Sequence, residues 1–567
     1  MTAVKIVDAI AEILKREGVE FLSAYPTTPV IDAAAAAGIQ PVLCRQERVG
    51  VGIADGYSRT TNGRRLGVFA MQYGPGAENA FPGVATAFSD STPMLILPLG
   101  HQRDRAQVFP LFSSARTYAS VTKWVETLNQ AEQVSEVMRR AFNLLRMGRP
   151  GPVMVEIPAD VAVAEVPEEA LQYRPVKATC PASNPRDVAA AARVLAEARR
   201  PVIHAGQGVL YAQACDELLE LAELLQAPVM TTLEGKSAFP ENHPLSLGTG
   251  GGGVMSGPVF QFLPRADVVF GIGCSFTRHG MATNIPAGKV LIHATNDERD
   301  LNKNYPADHP ILGDAKLVLR QFIDAVTDVL GARRERAGAV AGEVQAARAA
   351  WLQEWMPKLT SDEVPITPYR VIWEFMQAID PAAAIVTHDS GSPRNQLVPF
   401  YCATAPRGYM GWGKSHALGT GLGLIMGAKL AAPDKFCVNF MGDAAFGMTG
   451  PRFRDGRPLR HPHHHHRPEQ LRDGDRAARA GRLPRPLPHA RHRRELRGHG
   501  PRDGRAGRAR REARGDRRGH RARPEDERGR EGRADRVHHQ RGDHVLSPAR
   551  VLKRGYRPGP QEEAVHG

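Results

Sequence analysis

The chain is 567 residues long, enough for several hydrophobic cores, and carries a formal net charge of +14. Residues 451–567 hold 33 Lys+Arg against 16 Asp+Glu, which leaves 41 against 44 for residues 1–450. The body is therefore slightly acidic, which argues against reading the whole protein as a nucleic-acid binder.

Six cysteines without a CxxC spacing argue against a disulfide framework or a zinc site and point to reduced thiols in the cytoplasm. The opening MTAVKIVDAIAEILKREGV has charges through its apolar run and reads as an amphipathic helix rather than a signal peptide. No run of about 18 uninterrupted apolar residues occurs, so no membrane span is expected.

In chain order, a helix over 5–17 leads to FLSAYPTTP, a strand and turn, and then to an Ala-rich helix around 31–37. Strands PVLC (41–44), LGVFAM (66–71), MLILPL (94–99) and VMVEIP (153–158) follow, with helical segments between them and Gly at strand ends. Such alternation predicts a parallel sheet covered on both faces. This first unit spans 1–170, and residues 165–185 read as a linker. A second α/β unit spans 186–330, with helices 186–198 and 213–225, strands PVIHA, PVMTTL, ADVVFGIGC and KVLIHATND, and a glycine loop GTGGGGV (248–254) suited to approach a ligand. Residues 331–364 read as a helical connector, and a partial third α/β unit occupies 365–450. The fold class is thus α/β, three consecutive parallel-sheet domains, followed by a basic tail whose composition predicts disorder.

Three stretches bear chemistry. KFCVNFMGDAAFGMTG (435–450) runs as a buried strand into a turn where small residues let the backbone approach phosphates and Asp443 offers a hard oxygen ligand for Mg²⁺. Glu47 follows strand PVLC, between two arginines; on spacing alone it is a salt-bridged structural carboxylate or a proton-handling one, with the former favoured. GPGAEN (74–79) is either a packing turn or a phosphate nest, and a lone Gly-rich loop does not decide between them.

The segments RQERVGVGIADGYSR, GPGAENAFPGVATAFSDSTPMLIL and RPGPVMVEIPADV together resemble the pyrimidine-binding domain of thiamine-diphosphate enzymes of the acetolactate synthase type. TTLEGKSAFPENHPLSLG and ADVVFGIGCSF are similar to that family's central domain, and GLGLIMGAKLA with the Gly442–Asp443 turn to its diphosphate-binding domain. The resemblance runs through residues 1–450 in family order. It implies that Glu47 protonates N1′ of the cofactor and so drives loss of the thiazolium C2 proton, after which a 2-oxo acid is decarboxylated with the cofactor as electron sink. It further implies that Leu418 bends the cofactor, that Asp443 ligates Mg²⁺, and that Gly442, Ala444 and Ala445 form the diphosphate turn, where Ala444 departs from the usual glycine. Asp389, Gly76 and Asn79 complete the expected cofactor contacts. Core packing is the plain alternative for Leu418.

Thr27, Thr28, Gln72, Phe109 and Lys123 are candidates for touching substrate. Phe109 and Lys123 hold the spacing with which acetolactate synthases receive a second 2-oxo acid, but Pro110 and Leu111 replace the Gln-Glu that follows the family's phenylalanine. The His-His pair of pyruvate decarboxylases is absent from 1–170, where His101 is the sole histidine. GTGGGGV and Arg278 sit where the family's flavin site would lie; the surrounding pattern fits poorly, and FAD is not favoured. Family sites form between subunits, so a homodimer or homotetramer is implied.

The tail breaks this pattern. The family requires a helix, a strand and an Asn-Asn pair about 27 residues beyond Asp443, whereas residues 451–567 are dominated by Arg, Gly, Pro, His and Asp, with a single lysine, Lys553. The genetic code offers a reading. With CGN arginine codons, moving one base forward turns His463–His466 into four codons that encode only Ile or Thr, and Glu469-Gln470 into two that encode Asn or Ser. The permitted set includes Ile-Thr-Thr-Ile-Val-Leu-Asn-Asn, a buried strand ending in the missing pair. A frameshift near Pro451 is the expectation, against a basic disordered tail or a nucleic-acid arm. The functions weighed are a 2-oxo acid decarboxylase with carboligation, a decarboxylase of the benzoylformate type without it, and a catalytically dead body carrying a nucleic-acid-binding tail.

Overall fold

The computed structural model describes residues 3–331 and 337–449. The tail from 451, and with it the frameshift reading, lies outside the described residues.

The first sheet contains β2 (Phe21–Ala24), β3 (Gln40–Leu43), β4 (Gly67–Met71), β5 (Met94–Gly100), β6 (Trp124–Thr127) and β7 (Pro152–Pro158), preceded in the chain by β1 (Ala3–Lys5). Its order is β3-β2-β4-β5-β7-β6, parallel throughout. Alternate side chains of β5 serve opposite cores: Leu95 and Leu97 join the Ile6–Arg16 and Val134–Arg146 helices on one face, Met94 and Ile96 the helices on the other. That two-residue period explains why the strand reads as an unbroken apolar run. The expected linker over 165–185 begins in regular structure, since β8 (Glu165–Pro167) pairs antiparallel with β1.

The second sheet holds β9 (Pro201–Ala205), β10 (Val229–Thr231), β11 (Ser246–Thr249), β12 (Val268–Ile272), β13 (Val290–Thr295) and β14 (His309–Leu312) in the order β11-β10-β9-β12-β13-β14, again parallel. The Ala337–Leu359 helix connects it to a third sheet of β15 (Ala384–His388), β16 (Tyr409–Met410) and β17 (Phe436–Phe440), in the order β16-β15-β17. The sequence led us to expect β17 as a buried strand, and here the structure differs. It is an edge strand, half-buried along Cys437–Phe440 and exposed at Phe436, because among the described residues nothing pairs on its far side.

Two helices join the first unit to the third. Glu47–Thr60 and Thr420–Ala431 pack side by side, and their glycines repeat at four-residue spacing, Gly52 with Gly56 and Gly423 with Gly427. A Cβ on Gly52 would stand 2.9 Å from the Gly423 Cα, one on Gly56 2.0 Å from the Leu424 carbonyl oxygen, and one on Gly427 2.1 Å from the Ile53 carbonyl oxygen. Backbone thus meets backbone, a separation only glycine permits. Successive turns match in ascending order on both helices, so they run parallel with their N-termini at one end. Arg59 seals the far end of the seam: its Nε meets Asp55 at 2.6 Å, one Nη Asp90 at 3.3 Å, and the other donates to the Gly411 carbonyl at 3.3 Å, all buried.

Replacing Gly427 with Ala should therefore destabilise the protein by about 2 kcal/mol or more through overpacking, even though alanine is the better helix former. Gly342, with open space around its Cα, should gain roughly 0.5–1 kcal/mol from the same change. Urea unfolding of both variants checks the contrast, and equal effects would contradict backbone contact at the seam.

Candidate active site

In open parallel sheets, ligands sit at the carboxyl ends of the strands. Three expected residues of the first unit follow such ends: Thr28 follows β2, Glu47 follows β3, and Gln72 follows β4. Thr27, at φ 96°, donates from Oγ1 to the Gln72 Oε1 at 2.9 Å, which ties two of these edges together. Thr28 caps the Pro29–Ala36 helix and is buried.

Glu47 is the first residue of its helix and only 4 % exposed. A carboxylate there lies in the favourable field of the helix N-terminus. The parallel seam sets Glu47 level with Gly419–Gly421 on the third unit. Tyr118 packs nearby, donating to the Ala77 carbonyl; burial first and the Glu47 charge second push its phenol well above the usual tyrosine range.

Asp389, at the end of β15, accepts from the backbone N–H groups of Ser390 (2.8 Å), Gly419 (2.9 Å) and Gly421 (2.9 Å). Burial raises its pKa while these bonds oppose the rise. Both carboxylate oxygens are engaged by the chain, and Asp389 positions the Leu418–Gly419 turn. Gly419, at φ 87°, takes the left-handed conformation that this turn requires. Leu418 is half-buried beside it.

On the other flank of β15, Gly442 and Asp443 follow β17, and Asp443 opens the Asp443–Thr449 helix with its side chain exposed. A Cβ on Gly442 would find a single neighbour, the Pro393 Cγ at 3.8 Å, so the space over this turn is open to a ligand. Ala444 is exposed and Ala445 buried. Among the described residues no three acidic, His or Cys side chains gather as a metal site, at Asp443 or elsewhere.

Other expectations fare differently. GPGAEN resolves as the first turn of the Pro75–Ser89 helix, with Gly76 buried against Gln72 and Asn79 exposed. Phe109 is 93 % exposed in the 101–113 loop. Lys123 does not project toward a substrate space. Its ammonium donates to the Leu144 carbonyl at 2.6 Å and to that of Met147, capping the end of the Val134–Arg146 helix, and burial brings its pKa down to about 8.

A cavity of about 690 Å³ opens at the carboxyl ends of the central sheet, lined by His204, Gln207, Glu234, Gly250 and Thr283 among others. GTGGGGV approaches it through Gly250, as the loop's glycines led us to expect. Arg278 instead lies over the Tyr305 ring, 4.4 Å from its centroid. No spacing signal singled out His204, because a lone histidine in PVIHA reads as core.

Three family models match the chain in order. They are the thiamine pyrophosphate enzyme N-terminal TPP binding domain over residues 4–132, the central domain over 188–322, and the C-terminal TPP binding domain over 389–457. The probable acetolactate synthase large subunit of Methanococcus aeolicus is 32% identical over 472 residues, covering 78% of this chain and 76% of that protein. Acetolactate synthase isozyme 3 large subunit of Escherichia coli (strain K12) is 31% identical over 462 residues, covering 76% of each chain. The chain belongs to the thiamine pyrophosphate enzyme family. Within that family it is acetolactate synthase-like. The residues present fit the cofactor: an open Gly442 turn, a turn held by Asp389, and a buried carboxylate level with it. No helix among the described residues is long and apolar enough to cross a membrane.

His204 gives a pH test of the cavity. Both ring nitrogens are buried without a partner, and burial lowers its pKa to about 4. The unfolded chain binds this proton near pH 6.5 and the folded chain only near 4, so stability should fall as pH drops through that window, by up to about 3 kcal/mol. A His204→Leu variant should lose that part of the slope in acid-titrated urea unfolding; an unchanged slope would exclude a neutral, unpartnered His204.

Proposed function

We propose that the protein decarboxylates a 2-oxo acid with thiamine diphosphate and Mg²⁺ and transfers the resulting acyl carbanion equivalent to the carbonyl carbon of a second compound. The observation that carries the reading is the glycine seam, which sets a buried glutamate level with the Asp389-held turn. Thiamine diphosphate, when bound, supplies a nucleophilic carbon and an electron sink. Glu47 holds the proton that the pyrimidine ring requires, in a site where burial keeps water from competing for it. Leu418 would pack against the bound cofactor, Gly442, Ala444 and Ala445 would accommodate its diphosphate, and Asp443 would contribute one Mg²⁺ ligand. Thr28, Gln72 and Phe109 remain the proposed substrate contacts, while Lys123 caps the Val134–Arg146 helix.

The relatives' printed name, acetolactate synthase, supports carboligation. Pro110 and Leu111 beside Phe109 keep simple decarboxylation as the second reading. Pyruvate feeding separates them, acetolactate against free aldehyde. FAD is not part of the proposal. The domain bounds 1–170, 186–330 and 365–450, a homodimer or homotetramer, and a cytoplasmic location belong to the same reading; the seam departs from the between-subunit site that the resemblance implies, because it brings Glu47 and the third unit together within one chain.

A frameshift near Pro451 completes it. It is supported by the edge of β17 that no described residue pairs with, by exposed Phe436, Phe446 and Met448 on the last described elements, and by the C-terminal family match ending at 457. On this reading the 567-residue chain takes up thiamine diphosphate weakly or not at all, as calorimetric titration with Mg²⁺ present would measure. Resequencing that upheld the present frame, with matching transcripts, would remove the frameshift. In a frame-restored protein, Glu47→Gln should lower turnover by about 10³-fold or more, and near-normal turnover would refute its role. DNA binding that falls steeply with salt and vanishes on deleting 451–567 would instead favour the nucleic-acid reading.

A further inference from the structure

Arg394 is a buried cation that the proposed chemistry leaves unused. It is 4 % exposed, yet no carboxylate among the described residues lies within ion-pair distance of it. Its Nε donates to the Asn395 Oδ1 at 3.2 Å and its Nη1 to the His416 Nδ1 at 3.0 Å. A guanidinium can only donate, so Nδ1 must be the accepting, unprotonated nitrogen of the ring, and the remaining imidazole proton is fixed on Nε2. Burial first, and the adjacent Arg394 charge second, lower the pKa of His416, which keeps the ring neutral near neutral pH. The His416 side chain is exposed, and no described residue accepts from Nε2.

The pair stands between the two ends of the candidate site. Pro393, next to Arg394, is the neighbour of the Gly442 turn, and His416 lies two residues before Leu418. Around it, Glu234 and Lys414 pair at 3.9 Å, and His279 faces the same cluster from the central unit. Each of those charges therefore has a counterpart within the chain, and the Nε2–H of His416 stands out as a donor without an acceptor.

We propose that His416 is a substrate-binding residue that donates its Nε2–H to the carboxylate of the 2-oxo acid, and that Arg394 is the positioning residue that fixes this tautomer. The idea rests on the function proposed above, which supplies the substrate class. Nitrogen-15 NMR of the histidine-labelled full chain tests it, with oxamate as a non-reacting 2-oxo acid mimic, pyruvamide as its uncharged counterpart, and His416→Gln to assign the signal. The expected result is a neutral Nε2–H ring at 416 that shifts with oxamate and not with pyruvamide. Arg394→Gln should yield mixed tautomers and weaken the oxamate response by about tenfold, the loss of one hydrogen bond to a charged group. A charged or Nδ1–H ring in the wild type, or a signal indifferent to oxamate, would overturn the proposal, and this holds even if Arg394→Gln does not fold. Thiamine diphosphate uptake is followed separately. Its failure counts against the cofactor reading and leaves the tautomer and oxamate results standing on their own.

Discussion

The contact on which the site depends is one that no side chain makes. Along the seam between Glu47–Thr60 and Thr420–Ala431, glycines remove the only atoms that would hold the helices at ordinary spacing, and carbonyl oxygens lie within 2.0–2.1 Å of where a methyl group would go. Parallel packing then has a consequence that antiparallel packing would not. The N-termini of both helices arrive at one end, and with them the buried carboxylate of Glu47 and the turn held by Asp389. Helix N-termini carry partial positive charge, so this end of the seam favours anionic groups. The far end needs its own closure, which Arg59 gives by bridging Asp55 and Asp90 and reaching the Gly411 carbonyl.

Asp389 shows how burial and hydrogen bonding divide the work. Desolvation alone would push its carboxyl toward the neutral form; three backbone N–H donors hold it as an acceptor and shape the turn that follows. The first unit ties its strand ends differently. There the strand ends are linked laterally by Thr27 and Gln72, and the long 101–113 loop leaves Phe109 in solvent. One half of the candidate site is thus rigidly held from within, and the other is held at its base and open at its rim.

Much of this was legible in the residues. The apolar runs of β4, β5, β7 and β12 announced parallel strands, because burial on both faces removes the polar alternation that would disguise them. The helix Pro368–Ala378 carries its own start signal, a proline in the first turn and the capping side chain of Thr367. Glu47 and Asp443 were singled out by the family motifs around them, and each proves to open a helix just after a strand. What escaped were features that depend on tertiary neighbours: β6, whose four half-buried residues carry little pattern, the capping role of Lys123, which depends on a helix end twenty residues away, and the inward commitment of Asp389. β17 misled for the same reason, since an apolar strand reads as buried whether or not its neighbour is present.

That uncovered strand has a consequence for the molecule's company. Among the described residues nothing covers the outer edge of β17, whose backbone donors and acceptors are flanked by exposed Phe436, with no charged residue or proline within Phe436–Phe440 to blunt it. An edge of this kind pairs with whatever extended chain meets it, including the same edge of a second molecule. Crowding on the ribosome or in a concentrated preparation would therefore favour association through the third sheet, and quality-control factors that bind extended apolar segments would find their target there.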